Sequence, residues 1–326
     1  MAETQQAPSM TVLLVAPDGF EMVRKTIRHL RAQTVRDRLE VVLVAPSARA
    51  LDLDESAVRD FFRYAVLEVG EIKRPAPAKI VAIRHASAPI VAFAEDHCYP
   101  DPDWAAALIA AHEQGFAAVG PVMKNANPGT MVSWVGLLVH YACCLEPSPA
   151  RVAENLPWHN ISYKRQILLE YGDELSSLFA AEGMLLDDLR AKGHRIYLEA
   201  AAKMNHVNIS RWTSFIGHDY WGGRLFGVMR AQKKKWPIWR RLAYIVGAPL
   251  IPLVRLRRTL RLIHRIGRRD LIPRILPALM SGLVVHAFGE LSGYALGLGC
   301  TEERYAYYEM TRIRHVTAED RHILTD

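Results

Sequence analysis

The chain has 326 residues, 50% of them hydrophobic, and a formal net charge of +7 at neutral pH. That is enough apolar material for a full globular core, as one large domain or as one domain with an appendage. The four cysteines, Cys98, Cys143, Cys144 and Cys300, form no CxxC pair; this speaks against a disulfide framework and for buried, reduced thiols in a cytosolic compartment.

Residues 1–10 are polar and hold no apolar signal core, so they read as a frayed, disordered tail and not as a secretion signal. Thr11 to Ala16 is predicted as a short buried strand, with Pro17-Asp18-Gly19 as its loop. Glu21 to Ala32 has helical periodicity, anchored by Met22, Ile27 and Leu30, and Leu39 to Ala45 is a second buried strand. Strand, helix and strand at this spacing make a βαβ unit, which implies a parallel sheet. Ser56 to Tyr64 reads as helix, Ala65 to Val69 as strand, Ala78 to Ala86 as helix with Lys79 near its start, and Ile90 to Ala94 as strand. Asp103 to Gln114 follows as a helix capped by Asp103, and Ala117 to Met123 as another strand.

Lys124 to Gly129 is a loop, and Met131 to Leu145 an apolar helix. Leu156 to Ser162 leads to a helix around Lys164 to Tyr171, and Leu178 to Lys192 is a strong amphipathic helix ended by Gly193. His194 to Glu199 is a short strand, and Ala202 to Val207 continues it toward His206. The last third changes character. Leu242 to Val254 is apolar but well short of the roughly 20 residues of a membrane span. Ile275 to Gly299 is longer, but it contains Pro277, His286 and Glu290, and a charge at bilayer depth is costly. Both read as interfacial or re-entrant helices, with a full span left open for the second.

The charge is concentrated here as well. Between Arg230 and Arg274 there are fourteen Lys and Arg residues and a single carboxylate, Asp270. Interleaved with Trp236, Trp239 and apolar runs, this block suits an anionic membrane surface better than nucleic acid.

The stretch that carries chemistry is Val91 to Trp104, V-A-F-A-E-D-H-C-Y-P-D-P-D-W. An apolar strand ends abruptly in Glu95, Asp96 and His97, three metal or proton ligands at the carboxyl end of a buried strand, where open α/β sheets bind ligands. Unpaired buried carboxylates are costly, so the pair is expected to face a cleft and a cation. A capped turn bearing a solvated acidic pair is the plainer alternative. His206, at the end of a later strand, is a further candidate ligand, although a lone histidine is more often packed.

Several segments in order resemble glycosyltransferase family 2. They are Ala32-Gln33-Thr34 after the first helix, Ala78-Lys79 with Ile83-Arg84 and Ala86, and Ala92 to His97 where the family has its acidic D-x-D-type metal motif. Pro100-Asp101-Pro102-Asp103-Trp104 and the block from Ala181-Glu182 to Leu189-Arg190-Ala191-Lys192-Gly193-His194-Arg195-Ile196 complete the set. The resemblance covers residues 10 to 215. It departs where Ala45-Pro46 stands for the carboxylates that usually end the second strand, a place Asp52 or Asp54 would have to fill, and where Glu182 replaces the usual Asp.

The resemblance implies an α/β fold of the GT-A, Rossmann-like type. Residues 11–215 would form a nucleotide-sugar-binding domain with a mostly parallel sheet, and 216–326 a helical, membrane-associated region. It implies an inverting, metal-dependent hexosyltransferase, which the basic, apolar C-terminal third would dock on the cytoplasmic face of the cell membrane. Such an enzyme would take a nucleotide-sugar donor, a lipid-linked or polysaccharide acceptor, and Mg²⁺ or Mn²⁺ on Asp96, His97 and His206. Glu182 is the expected base, and Asp18, Lys79, Glu95, Asp96, Arg211 and Trp212 the expected donor contacts, Arg because its guanidinium suits phosphate oxygens. Each has a plainer reading: a turn aspartate for Asp18, a solvated lysine for Lys79, a helix-terminal carboxylate for Glu182, a surface arginine and packed tryptophan for Arg211-Trp212. Trp158-His159-Asn160 reads as acceptor lining or as a packed loop. The rival functions are a catalytically inactive nucleotide-sugar or lipid-binding scaffold and a nucleotidyltransferase.

Overall fold

The computed structural model describes residues 7–156, 159–180 and 184–325. They fall into two compact units. The first comprises Met1–Lys124, Cys143–His206 and Leu324–Asp326, the second Asn125–Ala142 and Val207–Ile323. The chain is thus divided near residue 206, where the sequence reading places the change at 215, and the second unit also takes the helix Met131–His140.

In the first unit the strands are β1 (Met10–Val15), β2 (Leu39–Ala45), β3 (Arg63–Glu68), β4 (Ile90–Ala94), β5 (Cys98–Pro100), β6 (Ala118–Asn125), β7 (Arg151–Val152), β8 (Ser162–Lys164) and β9 (Ile196–His206). Among the described residues they form one sheet in the order β3-β2-β1-β4-β8-β6-β9-β5, with β7 paired to β9. The β3-β2-β1-β4 block is parallel. Beyond it β8 runs antiparallel to β4 and β6, and β5 and β7 antiparallel to β9. β1, β2 and β4 are buried and, apart from Thr11 and Glu40, apolar along their length, because both of their faces are covered. The helix Phe20–Arg31 seals the sheet with Phe20, Val23, Ile27 and Leu30. Phe20 and Val23 take the anchoring place expected of Met22, which is half-buried.

One charge is buried in this block. Glu40 of β2 accepts hydrogen bonds from Thr11 Oγ1 of β1 (2.5 Å), Arg63 Nε of β3 (2.8 Å) and the Ser87 amide (2.8 Å). Burial alone raises its carboxyl, and these donors more than reverse that, so it sits below the usual range. One side chain therefore ties three strands and the turn before β4.

Some expected elements differ. Ser56 to Tyr64 is not a helix: a single 3-10 turn, Glu55–Ala57, is followed by β3 from Arg63. Val58 and Phe61 are buried singly, the Phe62 amide already bonds the Leu39 carbonyl, and pairing with β2 overrides helix propensity. His194–Glu199 and its continuation Ala202–Val207 do form one strand, as expected, and it is β9. The described part of Leu178 to Lys192 belongs to the helices Glu174–Ala180 and Met184–Ala191. Of the expected tail, Met10 is already in β1. Cys98 and Cys144 are buried as expected, but Cys143 is half-buried and Cys300 exposed.

The helix Trp104–Glu113 has Asp103 at its N-cap position without a side-chain cap bond. The cap comes from elsewhere. Gln33 Oε1 accepts the Ala105 amide (2.9 Å), while its Nε2 donates to the carbonyls of His29 (3.1 Å) and Asp101 (2.9 Å). The Ala-Gln-Thr segment is thus a clamp between two helices, and the Thr34 amide bonds Pro102 beside it.

The second unit is helical. Trp212–Lys233 and Ile272–Leu296 pack at backbone distance through glycines. A Cβ on Gly289 would meet the Tyr220 carbonyl oxygen at 2.2 Å, one on Gly293 the Arg224 oxygen at 2.4 Å, and one on Gly223 the His286 oxygen at 2.2 Å. The segment Arg269–Leu296 is the one stretch among the described residues long and apolar enough to cross a membrane. It also carries the buried Glu290, which accepts from Arg255 Nη2 (2.6 Å) and Tyr294 OH (3.2 Å). Asn125, Asn127 and Asn208 form an amide network that fixes the loop before Met131–His140.

His218 lies buried between Glu309 Oε1 (2.7 Å) and Asp219 Oδ1 (3.3 Å), with the His140 ring edge-on. Burial favours the neutral ring, but the two carboxylates outweigh it and push the imidazole up to about 9. A folded value above the unfolded one stabilises fully below about pH 6.5. That stability is lost as pH rises through about 9. Chemical denaturation between pH 6 and pH 9.5 should show a loss on the order of 3 kcal/mol from this group. His218→Asn should flatten the curve at a lower overall stability.

Candidate metal and donor site

The chain leaves β1 toward β2 on one side and later enters β4 on the other, so the strand order reverses between β1 and β4. The carboxyl ends of such neighbours flank the crevice in which open α/β sheets bind ligands. Asp18 follows β1 and is exposed there, and Glu95-Asp96-His97 follows β4.

Glu95 turns inward, its side chain 12% exposed. Its Oε1 lies 3.1 Å from His159 Nδ1, and its Oε2 lies 3.7 Å from His97 Nε2 and 3.9 Å from His206 Nε2. Asn160 Nδ2 donates to Oε2 (2.7 Å), and Thr26 Oγ1 to the backbone carbonyl (2.8 Å). The antiparallel register of β5 and β9 sets Cys98 opposite His206, so the rings of His97 and His206 meet edge to face with centroids 4.9 Å apart. Burial raises the Glu95 carboxyl, but the charges of His159, His97 and His206 and the His159 hydrogen bond hold it well below the usual carboxylate range.

Asp96 takes a different position. Its Oδ1 lies 2.5 Å from His97 Nδ1, on the side of the ring away from Glu95. A carboxylate on one ring nitrogen fixes the tautomer and presents the other to a ligand. The ligand-type atoms that converge within 4.8 Å are therefore those of Glu95, His97 and His206, with Asp96 aligning His97. Two imidazoles and a carboxylate are a donor set that fits a first-row divalent ion.

Lys79 is buried, with Nζ 4.9 Å from the Phe93 ring centroid, two residues before Glu95 on β4. Arg211 and Trp212 stand in the second unit. Arg211 Nη1 donates to the Arg314 carbonyl (3.1 Å), and Trp212 is partly exposed against Phe215. Asp54 accepts from the Ser56 amide and lies 3.8 Å from Arg24, and Asp52 is in the left-handed region at the end of a short helix. Glu182 and Trp158 lie outside the described residues. The residues that sequence reasoning undervalued are His159 and Asn160, which hold both oxygens of Glu95.

A mixed α/β sheet with its ligand edge at the β1–β4 switch and helices on both faces defines a GT-A-type fold. Residues 11–172 match the family described as glycosyl transferase family 2, and the chain belongs to that family. No curated protein matches the chain. Among solved structures it is similar to the mannosyltransferase PcManGT from Pyrobaculum calidifontis in complex with GDP-Man and Mn²⁺. That match has a TM-score of 0.53 and 16% identity over 89% of this chain and 88% of that one. It is also similar to S. aureus TarS (TM-score 0.45, 16% identity, 68% of this chain) and to GalNAc-T7 with UDP, GalNAc and Mn²⁺ (TM-score 0.45, 12% identity, 61% of this chain). The chain spans 40% and 43% of the lengths of those two.

If Asp96 aligns His97, Asp96→Ala should lower Mn²⁺ affinity about 10- to 100-fold without unfolding the chain. Titration followed by electron paramagnetic resonance reads this directly. Unchanged affinity would remove Asp96 from the site.

Proposed function

We propose that the chain is an inverting, metal-dependent glycosyltransferase that moves a hexose from a nucleotide-sugar to a lipid-linked or polysaccharide acceptor at the cytoplasmic face of the cell membrane. The observation that carries the reading is the convergence of Glu95, His97 and His206 at the switch point of the sheet. The mannosyltransferase of similar fold is solved with GDP-Man and Mn²⁺, and the proposal brings a donor and an ion of that class to this chain. Glu95, His97 and His206 would hold the ion, and the nitrogen donors favour Mn²⁺ over Mg²⁺, which prefers oxygen ligands. A bound divalent ion supplies Lewis-acid neutralisation of the diphosphate as it leaves.

The remaining work belongs to the chain's own groups. Asp96 orients His97. Asn160 and His159 keep the Glu95 carboxylate ionised and directed. Asp18, at the mouth of β1, meets the nucleoside, and Lys79 contributes positive charge behind β4. Arg211 and Trp212 keep the donor contacts that the resemblance implies, Arg211 to diphosphate oxygens. Glu182 accepts the acceptor hydroxyl's proton as the anomeric carbon is attacked from the face opposite the leaving group, so inversion needs no covalent intermediate.

Release of nucleoside diphosphate from a panel of nucleotide-sugars, with Mn²⁺ and then Mg²⁺, tests the reading. Turnover should require the ion. Glu182→Gln should lower kcat about 10²- to 10⁴-fold, the usual worth of a general base. Glu95→Gln and His206→Ala should raise the Mn²⁺ needed for half-maximal rate. Donor binding without release by the wild type would make the chain a silent binding protein, and pyrophosphate release from a nucleoside triphosphate would make it a nucleotidyltransferase.

A further inference from the structure

The segment with the strongest claim to cross a membrane is only partly buried: one side packs on Trp212–Lys233, while Leu276, Val284 and Phe288 are exposed. It carries the contact glycines Gly289 and Gly293 and the buried Glu290, which pairs with Arg255 of the preceding helix. Apolar surface of a different kind lies on the two helices before it, Ile238–Gly247 and Ile251–Arg265. On the first, Ile238 (77% exposed), Trp239 (67%), Leu242 and Val246 (80%) form one outward stripe. No residue of that helix is buried; it is moored by Tyr244 and Ile245 against Trp236 and Tyr294. The stripe continues through Leu250, Leu253 and Val254. The orientation of the second helix is fixed, because Pro252, Thr259 and Ile263 are buried on its inner face and Arg255 reaches Glu290.

Such an apolar stripe is costly in water and is the signature of an interaction surface. Its rim identifies the partner. A shallow groove on the second helix is lined by Leu253, Leu256 and Leu260 on one side and by Arg257, Arg261 and Arg265 on the other. Those arginines recur every four residues and form a row parallel to the leucines. Across the surrounding Arg230 to Arg274 the fourteen cations face one carboxylate. A second copy of this chain would bring the same positive field to the contact and be repelled. An anionic lipid surface supplies phosphates for the row and acyl chains for the stripe.

We propose that Ile238–Gly247 and Ile251–Arg265 lie in the plane of an anionic phospholipid surface, with Trp239, Leu242, Val246, Leu253 and Val254 at the acyl boundary and Arg257, Arg261 and Arg265 on headgroup phosphates. The proposal deepens the membrane location given above and rests on no part of the transfer chemistry.

Flotation of the full chain with vesicles of phosphatidylcholine, alone or mixed with phosphatidylglycerol, tests it. Binding should require phosphatidylglycerol and weaken with added salt. Each of Arg257→Gln, Arg261→Gln and Arg265→Gln should weaken it about fivefold. Leu242→Ser with Val246→Ser should abolish it. Trp239→Leu should retain binding while removing the blue shift of tryptophan emission that accompanies it. Nucleoside diphosphate release in vesicle-free solution, measured on the same variants, should stay at the wild-type rate. A fold defect would lower that rate, whereas loss of docking alone would not. If the wild type has no transfer activity but floats as described, the docking stands and the enzymatic reading falls. A wild type that stays soluble at low salt, vesicle binding indifferent to these variants, or a concentration-dependent dimer that buries Trp239 would each overturn the proposal.

Discussion

A carboxylate placed at the inner end of a buried strand must be met by donors or positive charge, because burying an unpaired charge costs far more than one strand pairing returns. Glu95 imposes that condition on the first unit. Its partners come from separate places: His97 at the entrance to β5, His206 at the end of β9, and His159 and Asn160 just before β8. Satisfying one side chain therefore fixes the mutual placement of the switch strand and three antiparallel additions. The parallel block is held separately, by Glu40 and its donors from β1, β3 and the turn before β4. A charged group thus sits at each end of the central strands. The one at the amino end is neutralised by an arginine and hydroxyl and amide donors. The one at the carboxyl end is surrounded by imidazoles, groups that also bind metals.

The second unit meets a different constraint. Its two long helices touch backbone to backbone at Gly223, Gly289 and Gly293, which is one reason an apolar, glycine-rich segment reads in sequence like a membrane span. The composition that lets two backbones touch inside a protein is also the composition of helices in lipid. Glu290 of that segment is met by Tyr294 one turn on and by Arg255 of the preceding helix.

These contrasts show what was legible in the sequence. β1, β2 and β4 were readable to within a residue because buried parallel strands are continuous apolar runs flanked by turns. Ser56 to Tyr64 was misread because its helical composition is local, whereas the edge of β2 that recruits Arg63 is not. The strands β5, β7 and β8 are two or three residues long and have no period to detect. At the site, the acidic run at the end of β4 was legible. That Glu95 and not Asp96 turns toward His206 was not, because it depends on which carboxylate faces inward and on a histidine more than 100 residues away. Gln33 teaches the same lesson: its segment was recognisable by resemblance, and its work as an external helix cap became visible only with the partners in place.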